Sequence, residues 1–403
     1  MNNLQRKLGL SLSAVALAVT ASQVQAEDSL AKAIKNGKTT LDFNLRYETV
    51  DQDNALEDAD ALTLRTRLTY KSAATNGFSF LVEAEDVRSV MGIDDYSVPP
   101  SGFNTGVYSV IADPKSTELD QAFVQYSNVK TTARFGRQVI ALDNHRHVGH
   151  VGWRQDRQTF DAISLVHKFN KQLTARYYFI NQRNRIFADD ADLDSEDHLV
   201  NVSYKSDIGT LTGYAYLLEV DNNTDNSLDT YGIRFAGNQK IDSVRLFYQL
   251  EYATQTSETL GNEFDANYWL LEGGVGYNGH KLTLGLENLG SDNGAYGFST
   301  PLATLHKFNG WADIFLGTPG NGLQDLYIKL QGKLMGGKYH IVWHDFSADE
   351  NVAGLDDYGT ELELQYTYAF NKNYSVGLKY SGYSADDYAV DTDKTWLWFG
   401  AKF

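Results

Sequence analysis

From Leu41 to Glu48 the apolar residues Leu41, Phe43, Leu45 and Tyr47 alternate with Asp42, Asn44, Arg46 and Glu48. A period of two places all four apolar side chains on one face of an extended strand and the polar ones on the other. The pattern returns with Leu62, Leu64, Leu68 and Tyr70 against Thr63, Arg65, Arg67 and Thr69, and with Phe78, Phe80, Val82 and Ala84 against Ser79, Glu83 and Glu85. Later copies are as clear: Leu173, Ala175, Tyr177 and Phe179; Val244, Leu246, Tyr248, Leu250 and Tyr252; Leu362, Leu364 and Tyr366. About 18 such segments of roughly 9–12 residues run through the chain, the length a tilted strand needs to cross a bilayer.

The connections between them alternate in length. Short ones such as Ser127 to Thr131, Lys168 to Lys171 and Asn278 to His280 are interleaved with long ones such as Asp86 to Lys115, Ile140 to Thr159 and Asn288 to Gly322. A soluble sandwich or solenoid predicts no such alternation and points its apolar face into a core. Here the polar faces carry many Arg, Glu and Asp while the apolar faces are rich in Tyr, which suits a wet lumen and a lipid-facing wall. The expected fold is therefore all-β: a transmembrane antiparallel β-barrel of about 18 strands with short periplasmic turns and long extracellular loops. Leu397, Phe399, Ala401 and Phe403 share the face of a final strand that resembles the C-terminal assembly signal of outer-membrane barrels. Barrel-assembly machinery is the partner this implies. Pairing that strand with the Leu41 strand would leave no open edge.

Ahead of the barrel, residues 1–26 read as an export signal, with Arg6 and Lys7, an apolar stretch from Leu8 to Val19 and the small-residue end Val24-Gln25-Ala26. Residues 27–38 form either a short amphipathic helix, through Leu30, Ala31, Ala33 and Ile34, or a disordered tail; residues 39–403 are the barrel. The chain has no cysteine, so thiolate chemistry and Cys-ligated metals are excluded. Its net charge of −17 argues against general nucleic-acid binding. Together these features place the chain in the bacterial outer membrane, with lipid around it.

Strand parity assigns Arg46, Arg65, Arg67, Arg176, Arg234 and Arg245 to the lumen, opposed by Glu83, Glu85, Glu251, Glu287, Glu361 and Glu363. These charges either select ions or pair across strands and merely keep the lumen polar. Arg134 and Arg137 stand three apart and fall on opposite faces of a regular strand, so a bulge at Gly136 is expected to return both to the lumen. His145, His147 and His150 share a loop with Asp143 and Asp156, but no metalloprotease spacing and no Gly-x-Ser-x-Gly elbow occurs, and neither a catalytic site nor a metal or cofactor is assigned. Tyr96, Phe103, Tyr108, Tyr296, Phe298 and Trp311 in the two longest loops either meet a partner at the surface, as in an adhesion barrel, or fold inward and narrow the pore.

The run Phe135-Gly136-Arg137-Gln138, then Asp143, Arg146, Val148-Gly149, Val151-Gly152-Trp153-Arg154-Gln155 and Gln158-Thr159-Phe160-Asp161-Ala162, resembles the alginate export porin family. That resemblance implies a monomeric 18-stranded channel lined with arginines that passes an anionic polyuronate. It places Arg137 and Arg154 in or just above the pore, with Trp153 and Phe160 as packing anchors. The expected function is a passive channel for anionic solutes, a small anion, a uronate or an acidic polysaccharide; a general or sugar porin of mixed selectivity is the alternative.

Overall fold

A computed structural model describes residues 25–403. The expected leader, apart from its last two residues, lies outside the described residues. The chain opens with helix α1 (Gln25–Lys35) and continues as strands β1 (Lys38–Gln52), β2 (Ala59–Lys71), β3 (Phe78–Asp95), β4 (Ser116–Ser127), β5 (Thr131–Gln138), β6 (Thr159–Lys168), β7 (Leu173–Asn184), β8 (Leu193–Lys205), β9 (Thr210–Leu218), β10 (Asn226–Ile241), β11 (Val244–Thr259), β12 (Asn262–Tyr277) and β13 (His280–Leu289). After a miniature hairpin, β14 (Ser291–Asp292) and β15 (Tyr296–Gly297), come β16 (Leu323–Leu334), β17 (Gly337–Val352), β18 (Leu355–Ala369), β19 (Tyr374–Ala385) and β20 (Thr392–Lys402).

All but β14 and β15 belong to one 18-stranded antiparallel sheet in which β1 pairs with both β2 and β20, so the sheet is closed. The seam is completed by backbone hydrogen bonds from Leu41 N to Phe403 O (3.0 Å) and from Phe403 N to Leu41 O (2.8 Å). The parity read from the sequence holds along β1. Arg46 and Glu48 are buried inside the barrel, while the outward face of the sheet carries exposed Leu68, Phe135, Ile163, Leu250, Leu284 and Phe399. A wall that is apolar outside and polar inside is stable only in a bilayer. Helix α1 docks under the barrel through Ala33, whose carbonyl accepts from Ala73 N at 3.0 Å.

Two details depart from the sequence reading. Strands run from 8 residues in β5 to 18 in β3, a wider spread than the bilayer thickness alone requires. The strict alternation of short and long connections also fails: β11 joins β12 through Leu260-Gly261, and β17 joins β18 through Ala353-Gly354, both on the side of the long loops. Both residues of each pair have positive φ (51° and 79°; 61° and 82°), the geometry of tight two-residue hairpins. Neither pair has the Asn-Gly or Asp-Gly signature, so the turns are hard to read from sequence.

Candidate functional site: the lumen throat

Two loops fold into the barrel, residues 139–158 between β5 and β6 and residues 290–322 between β13 and β16. They are tied together first. Gly149 N donates to Leu302 O at 2.8 Å, Thr304 N to His145 O at 3.1 Å, and the Gln158 amide to the carbonyls of Gly149 and Leu302 at 2.9 and 3.1 Å. The close approach depends on glycine: a side-chain carbon at Gly149 would lie 2.2 Å from Thr304 Oγ1. The loops are then pinned to the wall. Arg146 reaches Glu287 (2.8 Å), Thr300 (3.2 Å) and Asn309 (3.0 Å), and Arg154 reaches Glu48 (2.9 Å) and Asp313 (3.2 Å). Burial works against the Arg154 charge, but Glu48, Asp113 and Asp313 outweigh it and hold the guanidinium above its usual range.

At the centre of this plug Trp153 lies flat on His306, with ring centroids 5.2 Å apart and planes 6° apart, and meets Trp396 and Trp398 edge-on. Arg46 covers the same indole at 4.4 Å and Lys379 Nζ sits 4.2 Å from it. His306 Nδ1 lies 2.6 Å from Asp313 and its Nε2 2.6 Å from Lys379 Nζ. The ammonium has only donors, so Nε2 accepts and Nδ1 donates to the carboxylate: the imidazole is neutral. Burial, reinforced by Lys379 and only partly offset by Asp313, pushes its pKa down to about 3. His306 separates two cavities. One of about 470 Å³ opens on the periplasmic side, and one of about 450 Å³, bounded by Arg154, Arg185, Phe187 and Lys394, on the extracellular side.

The arginines singled out in the sequence fall into distinct settings. Arg46 sits 3.5 Å from Asp113 and Arg65 2.6 Å from Asp42; Arg67 engages Glu85, lies 3.2 Å from Asp120 and approaches Glu83 at 4.0 Å. Arg234 meets Gln249 at 2.8 Å and Glu251 at 3.4 Å, while Arg134 and Arg176 meet only neutral groups, Gln125 for the first and Asn201 and Ser203 for the second. Arg245 is exposed at the periplasmic mouth, away from the throat.

Arg137 is a correction. Both ladders of β5 run unbroken through Gly136, whose φ of 120° is accommodated without a bulge. Arg137 therefore shares the outward face of Phe135 and is removed from the pore. Its charge is matched there by Asp161, the residue directly opposite, at 2.8 Å. The bulges lie instead in the neighbouring ladders, beside Glu83 and beside Asp161.

The histidines of the signature loop diverge. His147 turns to Tyr214 (3.0 Å) and Glu251 (3.2 Å), while His145 and His150 meet edge-on. Of the loop aromatics, Tyr96, Phe298 and Trp311 are buried, folded in rather than displayed. Phe160 is fully buried, whereas Trp153 both packs and lines the periplasmic-side cavity.

Sequence reasoning passed over the lysines. Lys281, Lys307, Lys329 and Lys379 line the periplasmic-side cavity, and none forms an ion pair with a carboxylate among the described residues. Their partners are rings and carbonyls: Phe247 for Lys281 (4.4 Å), Tyr327 for Lys329 (4.9 Å), Asn144 O for Lys307 (2.7 Å) and Trp311 for Lys379 (3.6 Å). Burial, with the nearby charges of Lys329 and Arg234 and against the pull of Glu272, lowers the Lys307 pKa. The strand register places two of these lysines, Lys281 and Lys379, on one line with Lys240 and Arg245. Lys240, Arg245, Gly276, Lys281, Gln331, His340, Gln365, Lys379 and Trp396 are successive cross-strand neighbours on the lumenal face of β10 to β20. Because barrel strands are tilted, this row climbs from the periplasmic mouth to the throat, and it carries no acid.

Comparison with known proteins agrees with this architecture. The family described as Alginate export matches residues 38–286. OccAB4 of Acinetobacter baumannii superposes with a TM-score of 0.73 at 14% identity, covering 91% of this chain and 98% of that one. OccK9 (OpdG) of Pseudomonas aeruginosa gives 0.71 at 14% identity over 92% and 99%, and OpdK of the same organism, solved with vanillate, 0.72 at 12% identity over 92% and 99%. A search of curated proteins found no match.

Proposed function

The chain belongs to the alginate export family and is an outer-membrane channel, and from that premise we propose that it passes small carboxylate-bearing anions. The observation that carries this reading is the acid-free row from Lys240 to Lys379, which ends beneath the aromatic throat. An anion moving along it exchanges one ammonium or guanidinium for the next while the low-dielectric wall amplifies each field. At Lys379 it competes with the neutral His306 Nε2 for the ammonium protons, an exchange that costs little because no carboxylate has to be displaced. Two cavities of about 470 and 450 Å³ divided by a side-chain partition suit a uronate or another small organic acid better than a polymer strand. We propose further that the channel works as a monomer, assembled through its last strand, which pairs with β1.

The test is conductance in planar bilayers under a salt gradient, together with swelling of proteoliposomes in glucuronate and in glucose. The expected result is an anion-directed reversal potential and faster entry of glucuronate than of the similarly sized neutral sugar. A cation-directed potential, or glucose entering faster, overturns the proposal. Vanillate, named with OpdK, serves as an aromatic carboxylate probe in the same assay.

A further inference from the structure

A third cavity, of about 480 Å³, lies at the periplasmic mouth, where the β10–β11 and β12–β13 turns come together. Its charged lining is entirely basic: Lys240, Arg245 and Lys281, with His280 at the edge. The three cations occupy adjacent rungs of the ladder, Lys240 opposite Arg245 and Lys281 one strand further on across Gly276. Arg245 uses Nη1 to hold Asn238 at 3.0 Å, and Lys281 rests over Phe247 at 4.4 Å. Both side chains are thus held in place by neutral groups, and neither forms an ion pair with a carboxylate among the described residues. Glycine keeps the floor open: a side-chain carbon at Gly276 would lie 3.0 Å from the Phe247 ring, and one at Gly332 only 2.5 Å from the His280 ring. Asp242, the acid of the adjoining turn, is not part of the lining.

Three like charges set side by side, two of them held by neutral partners and none in an ion pair among the described residues, repel one another unless an anion joins them. We infer that this pocket binds a polyanionic group with at least two phosphate or carboxylate charges. As the lower end of the row described above, it rests on the channel reading and deepens it: it is the station at which an anion is held on the periplasmic side. A solute in the periplasm and a phospholipid headgroup of the inner leaflet present the same chemistry, since the cavity also touches Tyr277 on the outer wall.

The experiment titrates the purified full chain with tripolyphosphate by calorimetry. The K240Q/R245Q/K281Q variant is expected to bind about tenfold more weakly or worse. A control that removes equal charge elsewhere on the same rim, K130Q/K168Q/K205Q, is expected to bind as the parent does. Heat-modifiable gel mobility confirms that each barrel is folded. Mass spectrometry of retained lipid separates the two sources: an anionic phospholipid kept by the parent and lost by the pocket variant assigns the site to a headgroup, and binding by lipid-stripped protein assigns it to a free solute. Equal affinity of parent and pocket variant, or an equal loss in the rim control, overturns the site. Reversal potentials on the same proteins test the channel reading separately, because a cation-selective parent that still binds tripolyphosphate here rejects that reading and keeps the site.

Discussion

On the β2–β4 wall Arg67 engages Glu85, Asp120 and Glu83, and Arg157 descends from its loop onto the same Glu83 and Asp120. On the β13–β19 wall Lys281, Lys329 and Lys379 meet aromatic rings instead. Both walls are rich in cations, but only on the second do these cations stand outside any ion pair among the described residues. A salt-bridged arginine spends its donors on the wall and contributes to holding the barrel in shape. A lysine kept upright by a ring keeps its field, and it is easily displaced toward an incoming anion. The number of basic residues in a lumen therefore says little about selectivity until each has been matched with its partners.

The sharpest way to break this contrast is to remove an arginine from the paired wall. Arg67→Met leaves Glu85 and Asp120 short of a partner in a buried setting, and about 3–5 kcal/mol of stability should be lost. Urea unfolding of the reconstituted barrel reads this, and Lys329→Gln in the same assay should stay within about 0.5 kcal/mol. Comparable losses in the two variants would erase the distinction.

His306 stands in the throat between Asp313 and Lys379, and its pH response comes next in size. Its folded pKa of about 3 lies below the ordinary value, so the unfolded chain binds more protons between those limits. Stability should be level above about pH 6.5 and fall as the pH drops from there toward 3, by up to a few kcal/mol, about 1.4 per unit. His306→Gln can still donate to Asp313 and accept from Lys379, so unfolding midpoints followed against pH should flatten over that window. An unchanged slope would show that other groups set it.

The smallest effect bears most directly on function. Lys281, Lys329 and Lys379 changed together to Gln should reduce the anion-to-cation permeability ratio about fivefold, roughly 1 kcal/mol, whereas Arg65→Gln with Arg67→Gln should leave it nearly unchanged. Reversal potentials of the two variants decide it. A larger shift from the arginine pair would mean that their field escapes the neighbouring acids.

Much of the barrel was legible because period two is a local property. The faces of β1, the lumenal placement of Arg46, Arg65 and Arg67, and the pairing of first and last strands all follow from alternation. What alternation cannot give is the partner. Asp120 reaches Arg67 from beside a bulge and Arg157 arrives from a loop, so the neutralisation of that wall depends on contacts distant in sequence. Arg137 shows the same limit from the other side. Strict alternation turns one of Arg134 and Arg137 toward lipid, a costly place that makes a bulge the expectation; Asp161, which sits opposite Arg137 in β6 and removes that cost, cannot be recognised without the register. Lys281, Lys329 and Lys379 carried the correct parity in the sequence. Parity alone does not separate them from the arginines; their ring partners do, and those are set by the register and the fold. The throat was the least legible part, since it takes two loops that meet only inside the finished barrel.

The seam between Leu41 and Phe403 has a consequence for how the barrel comes into being. The two strands that clasp there are separated by nearly the whole described chain, so the contact that closes the ring carries one of the largest loop-closure penalties and forms late. Until it does, β1 exposes a full row of unpaired backbone groups, an edge open to any other strand. Maturation of the protein is then a race between its own last strand and foreign ones. A lesion in β20 should appear as lost yield and aggregation during biogenesis, while those molecules that do close conduct as usual.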